Sequence, residues 1–164
     1  DLRDADDRSI NDRYVTPKVG VSVVLGDDDG RLLLVRRAAS GYWYLPAGYA
    51  DVGYSAAEVA IKECREEVGL EIEVERLIGL VDGLQNEARP APQYGILMLG
   101  RVVGGELRLA PLECSDAGWY ARDELPRPLY PEAGPWVDLA FEALAGRVDA
   151  YFDPPRPALV RHPG

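Results

Sequence analysis

At Ser55 the hydrophobic pattern changes period, and that change restricts the folds open to this chain more than any other feature. Ala57, Ala60, Ile61, Cys64 and Val68 recur at i, i+3, i+4, i+7 and i+11, which places one apolar stripe along one face of a helix. Ser55 and Glu58 make an S-x-x-E capping box at its start, and Gly69 supplies the stop. Upstream, the pattern is that of strands. Val19 to Leu25 is an apolar run rich in β-branched residues, Gly26 to Gly30 is a turn of Asp and Gly, and Leu32 to Val35 returns, which predicts a hairpin. The consecutive Asp27, Asp28 and Asp29 read as solvated turn residues rather than metal ligands.

Arg36-Arg37 ends the second strand, and Trp43-Tyr44 is a short strand running into the loop Leu45-Pro46-Ala47-Gly48. Beyond the helix, Ile72 to Val81 and Gln93 to Val103 read as strands separated by a polar loop. Gly104-Gly105 turns into a short strand from Glu106 to Leu109, and Trp119-Tyr120 begins a last strand. Trp136 to Arg147 is a second amphipathic helix through Trp136, Leu139, Ala140, Ala143 and Leu144. The order βββ, α, several β, α predicts an α/β (α+β) fold with a mixed sheet and helices packed on both faces. We divide the chain into an extended arm or linker stub (1–17), one domain (18–152) and a Pro-rich tail (153–164). A chain opening on Asp1 rather than Met is expected to lack a leader or part of an N-terminal segment.

Composition narrows the chemistry. Asp and Glu number 28 against 18 Lys and Arg, a net charge of −10, so the surface repels polyanions and DNA is not an expected partner. No apolar run approaches the ~18 residues of a membrane helix. The single histidine, His162, lies in the tail, so a Ser-His-Asp triad, a Cys-His dyad or a His-based zinc site would each depend on that residue. Cys64 and Cys114 do not make a disulfide framework, Cys64 sits on the apolar stripe, and a reducing cytoplasm is the expected location. The working groups that remain are carboxylates.

Glu63, Glu66 and Glu67 stand at i, i+3 and i+4 on the other face of the helix, a spacing that converges three carboxylates on one side. Like charges so placed repel by roughly 0.2–0.5 kcal/mol per pair. Either the face is solvated and relieved by Lys62 and Arg65, or it is an oxygen-ligand set for a hard cation such as Mg2+. The residues upstream favour the second reading. The segment runs Gly48-x5-Tyr54-x7-Lys62-Glu63-Cys64-x-Glu66-Glu67-x-Gly69-Leu70. It resembles the Nudix box, G-x5-E-x7-R-E-U-x-E-E-x-G-U with U apolar. Gly48, Glu63, Glu66, Glu67, Gly69 and Leu70 match and Cys64 is a tolerated apolar residue, whereas Tyr54 replaces Glu and Lys62 replaces Arg. The resemblance extends over about Val19 to Arg147, and Gly48 to Gly53 with Lys62-Glu63 is also similar to a bacterial subfamily acting on X-linked nucleoside diphosphates.

The resemblance implies the Nudix fold, a mixed sheet sandwiched between helices (α/β/α), and Mg2+-dependent hydrolysis, with Mn2+ able to substitute. The substrate it implies is a small nucleoside diphosphate linked to another group, of the ADP-ribose or CDP-choline type. It assigns the metal to Glu63, Glu66 and Glu67 with the backbone carbonyl of Ala47, and the general base to Glu63 or Glu113. Arg36 and Arg37 end near the site; adjacent strand residues face opposite ways, so one of them at most is expected to clamp phosphate. Tyr42, Trp43, Tyr44 and Tyr49 crowd the entrance, each either packed in the core or stacked on a base, with Tyr44 the substrate-binding candidate. Substrate choice is assigned to the stretches Leu84 to Gln93 and Pro126 to Pro135, and homodimers are common among relatives. Tyr54 removes a carboxylate near the metal, so weaker or fewer bound ions are expected, and Lys62 loses the bidentate fork of Arg. The alternatives are a Nudix-fold module that binds a nucleotide without cleaving it, and an enzyme acting on nucleoside triphosphates or RNA 5′ ends.

Overall fold

The computed structural model describes residues 16–82, 93–131 and 133–155. The arm up to residue 15, the loop from 83 to 92 and the tail from 156, His162 included, lie outside the described residues. In chain order the elements are β1 (Lys18–Leu25), β2 (Leu32–Arg37), β3 (Trp43–Tyr44), β4 (Ala47–Tyr49), α1 (Ala56–Glu63), a π-helical turn (Cys64–Val68), β5 (Leu70–Val81), β6 (Gln93–Gly105), β7 (Cys114–Tyr120), α2 (Ala133–Leu144) and β8 (Tyr151–Phe152).

The strands form two sheets where one was expected. The larger is mixed, in the order β4-β1-β6-β5-β8, with β1 parallel to β6 and β5 parallel to β8. The smaller is antiparallel, in the order β3-β2-β7. The predicted β1–β2 hairpin is therefore corrected: the strands touch through one bridge, Gly26 to Leu32, and then diverge into different sheets. The turn between them does what Asp and Gly allow. The Asp27 carboxylate accepts from the backbone N–H groups of Asp29 (3.0 Å) and Arg31 (2.8 Å), so these aspartates are turn residues.

Period-2 alternation in β1 and β2 divides the interior into two cores. Val21, Val23, Leu25, Leu33 and Val35 pack with Val59, Ala60, Cys64 and Val68 of the first helical segment. Val24, Leu32 and Leu34 pack on the other side with Val137, Ala140 and Phe141 of α2. The helices thus cover opposite faces, as their stripes require.

Four boundaries differ from the sequence reading. The first helix is capped as predicted, with Ser55 Oγ accepting from Glu58 N–H (3.2 Å) and Glu58 accepting from Ser55 N–H (2.7 Å). It does not stay α-helical; it widens to i→i+5 geometry from Cys64 before Gly69 ends it at φ 73°. Residues 106–110 are not a strand, because their backbone is used elsewhere: Arg108 and Ala110 N–H donate to Val68 and Glu67 carbonyls (2.8 and 3.0 Å) at the end of the π turn. Trp119-Tyr120 ends β7 rather than beginning a strand. The second helix runs from Ala133 to Leu144, starting early because Pro135 sits in its first turn, where no N–H is needed. The short β8 carries too few residues to show a period.

Candidate active site

Glu63, the last residue of α1, reaches a strand because that strand has a glycine. A Cβ on Gly48 of β4 would overlap the carboxyl carbon and both oxygens of Glu63, so only a bare backbone lets the carboxylate lie there. Burial first, and the charge of Glu67 next, push the Glu63 carboxyl up to about 6, with Lys62 opposing. Lys62 is held in turn by Asp51 (2.7 Å), with Glu66 at 3.6 Å and the Tyr54 ring centroid at 5.9 Å. Asp51 supplies a carboxylate to Lys62 that Tyr54 cannot, and no spacing rule in the sequence points to that partner.

Glu67 is 1% exposed and fully engaged. One oxygen accepts from the Arg37 guanidinium and the other from the backbone N–H of Ala47 at 3.1 Å, while Arg37 also donates to the Ala47 carbonyl at 3.0 Å. Burial pushes the Glu67 carboxyl up, and the Arg37 charge pulls against it. Arg37 therefore faces the site and Arg36 does not; Arg36 is exposed and donates to the Gly41 carbonyl at 3.1 Å, consistent with alternation along β2.

Glu66 is corrected. It lies on the π turn beside Lys62 with its side chain 55% exposed, against 12% for Glu63 and 1% for Glu67. Among the described residues no group of three acid, Cys or His side chains is placed to hold a metal ion by itself. What converges instead is Glu63, Glu67 and the Ala47 backbone on the wall of one cavity of about 410 Å³, with Glu113 exposed on the same wall. These donors are all oxygens, and the Glu63 carboxyl is pushed up by burial and by Glu67 despite Lys62, so the set fits a hard divalent cation.

The cavity also has an aromatic lining. Tyr44, whose hydroxyl is 3.2 Å from Ser22 Oγ, leans on Tyr130 and Trp136 with centroids 5.8 and 6.4 Å away. The Trp136 ring lies on Gly95, where a Cβ would come within 2.7 Å of its Cζ3. Tyr49 also lines the cavity. Trp43 is core, edge-on to Tyr120 at 5.4 Å, and Tyr42 packs on Tyr130 at 5.9 Å. Spacing and periodicity do not mark Ser22, Gln93, Tyr130 or Trp136 individually as site residues; Trp136 is periodic with α2 and reads as core, and nothing local distinguishes the rest. Tyr130 and Pro131 do fall in the 126–135 stretch assigned to substrate choice. Of the 84–93 stretch only Gln93 is among the described residues. Burial pushes the thiols of Cys64 and Cys114 up to about 12 and about 11, so neither supplies a thiolate at neutral pH.

The raised Glu63 carboxyl has a consequence for the metal-free protein. Its folded value of about 6 lies above the ordinary 4.5, so the folded state binds the proton more tightly. The stabilisation is complete below pH 4.5 and is lost as pH rises through about 6. Melting temperature measured in EDTA is expected to fall across that window, and Glu63→Gln to flatten the fall; an equal slope in both proteins would remove Glu63 as its source.

Comparison with known proteins places this geometry. The family model described as NUDIX domain matches residues 16–140. Human 8-oxo-dGDP phosphatase NUDT18 is 35% identical over 116 residues, 68% of this chain and 34% of that protein. A crystal structure of an ADP-ribose pyrophosphatase from Streptococcus suis is 30% identical, with a TM-score of 0.73 over 84% of this chain and 100% of that one. A UDP-X diphosphatase structure is 26% identical, with a TM-score of 0.77 over 92% and 76% of the two chains. The chain spans 57% of the length of its Bacillus subtilis relative YjhB and 34% of NUDT18. With the first helix, strands β1 to β7 and the carboxylate-lined cavity all inside the matched span, this chain belongs to the Nudix family.

Proposed function

We propose that this protein is a divalent-cation-dependent pyrophosphohydrolase that cleaves the diphosphate of a nucleoside diphosphate linked to another group, of the ADP-ribose or CDP-choline type. One observation carries the reading: a single cavity is lined both by oxygen donors (Glu63, Glu67, Ala47) and by the aromatic rings of Tyr44 and Trp136. That combination suits a ligand with a phosphate part and a flat base. The Streptococcus suis and UDP-X relatives, named for phosphoanhydrides of this kind, support it.

In the reaction, water attacks one phosphorus and the bridging oxygen departs with the electron pair, giving a nucleoside monophosphate and the phosphorylated X group. Mg2+, or Mn2+ in its place, supplies charge neutralisation at the phosphate oxygens and a lowered pKa for bound water. Glu63, Glu67 and the Ala47 carbonyl would hold it, with Glu66 contributing from the solvent side. Lys62, fixed by Asp51, keeps a positive charge beside Glu63. The proton of the attacking water goes to Glu63, whose carboxyl is pushed up to about 6, or to Glu113, which lines the same cavity. Glu113→Gln decides between them: as the base, its loss lowers kcat by about 10²-fold or more, while an unchanged rate returns Glu113 to the surface.

The test is product chromatography after incubation with ADP-ribose, CDP-choline, nucleotide sugars, dinucleoside polyphosphates, triphosphates and capped RNA, with Mg2+ and with EDTA. Metal-dependent release of a nucleoside monophosphate from the first classes supports the proposal. Binding without turnover of any of them overturns it in favour of a recognition module. No helix among the described residues is long and apolar enough to cross a membrane. A cytoplasmic setting suits two buried free cysteines. Pairing of two chains would appear in light scattering as twice 18.0 kDa.

A further inference from the structure

The Arg37 guanidinium closes a ring with two groups that the proposed metal would need. It donates to one Glu67 oxygen and to the Ala47 carbonyl (3.0 Å), and Ala47 N–H donates to the other Glu67 oxygen (3.1 Å). The side chain of Glu67 is 1% exposed and that of Arg37 24%, so water supplies little of this pairing. A planar fork with fixed donors suits a carboxylate and a carbonyl held side by side. A dication bound by the same two oxygens would compete with the guanidinium for their lone pairs and would stand beside its positive charge.

We infer that Arg37 is a resident counter-ion of the cation site: it holds Glu67 and Ala47 in place while the site is metal-free, and it must leave them for a divalent cation to bind. Arg37 is thereby a positioning residue that sets cation affinity. The inference rests on the divalent-cation reading above and on nothing about the substrate. Arg37 lies at the end of β2 on the cavity wall, so its head moves along the cavity without unfolding the strand.

The experiment is Mn2+ binding to the full chain, followed by electron paramagnetic resonance and by calorimetry, with no nucleotide present. Arg37→Met keeps the aliphatic length and removes the competitor, and Mn2+ is expected to bind it about tenfold more tightly than the wild type. Its melting temperature in EDTA is expected to fall, because Glu67 loses its partner, and added Mn2+ is expected to raise it by more than it raises the wild type. Arg37→Lys keeps a charge without the fork and serves if Arg37→Met does not fold; its affinity is expected to lie above that of the wild type. Equal or weaker Mn2+ binding in the folded variant, with the wild type binding measurably, overturns the counter-ion role and leaves the metal reading standing. Absence of Mn2+ binding in both proteins overturns both.

Discussion

Glu67→Gln is expected to lower kcat on the productive diphosphate substrate by about 10²–10³-fold. The expectation follows from burial. At 1% exposure Glu67 has no solvent to replace its charge, and its oxygens are fixed by Arg37 and by the Ala47 N–H. Gln has the same shape, so its oxygen still accepts from Ala47, but the charge that balances Arg37 and that a cation would seek is gone. The fold should persist with a cost of about 1–3 kcal/mol, the range for a buried group left half-satisfied, read as a lower melting temperature. Full activity in this variant would remove Glu67 from the working site; loss of activity together with loss of folding would be resolved by circular dichroism and by the Mn2+ titration.

Gly48→Ala is expected to separate folding from activity. The added Cβ would overlap the Glu63 carboxyl group, which is the free end of a flexible side chain, so the fold can yield there cheaply. Catalysis cannot. A working group displaced by about 1 Å can cost about 10²-fold in rate, and we expect a loss of that order in kcat with a melting temperature close to that of the wild type. The raised carboxyl of Glu63 should also fall back toward the ordinary range as the side chain leaves its buried position. Unchanged kcat in Gly48→Ala would mean that Glu63 does not act from its position against β4.

Gly48 also illustrates what was legible in advance. Its distance from Lys62 and Glu63 could be read from the sequence, but the reason for a glycine there is a contact between a helix end and a strand of the large sheet. The capping box at Ser55 and Glu58, the apolar stripe through Cys64 and Val68, and the stop at Gly69 are local devices, and each is found where the sequence puts it. The element order βββ, α, several β, α likewise carried enough information to place helices on two faces.

Other features depended on partners distant in the chain. The sequence spacing of Glu63, Glu66 and Glu67 predicts convergence only if the helix keeps its α pitch. The pitch changes where the backbone of residues 106–110 docks on the Glu67 and Val68 carbonyls, and of the three acids Glu66 is the one left mostly exposed. The pairing of Arg37 with Glu67 and of Asp51 with Lys62 joins residues 30 and 11 positions apart that no periodicity relates. Trp136 reads as a core residue of α2 and becomes a cavity wall only because Gly95 lets its ring down onto β6. The sequence by itself determined which faces are apolar, where the first helix begins and which acids are available. The tertiary structure alone decided which of those acids meet, because side-chain period reports that a face is buried and carries no record of what it is buried against.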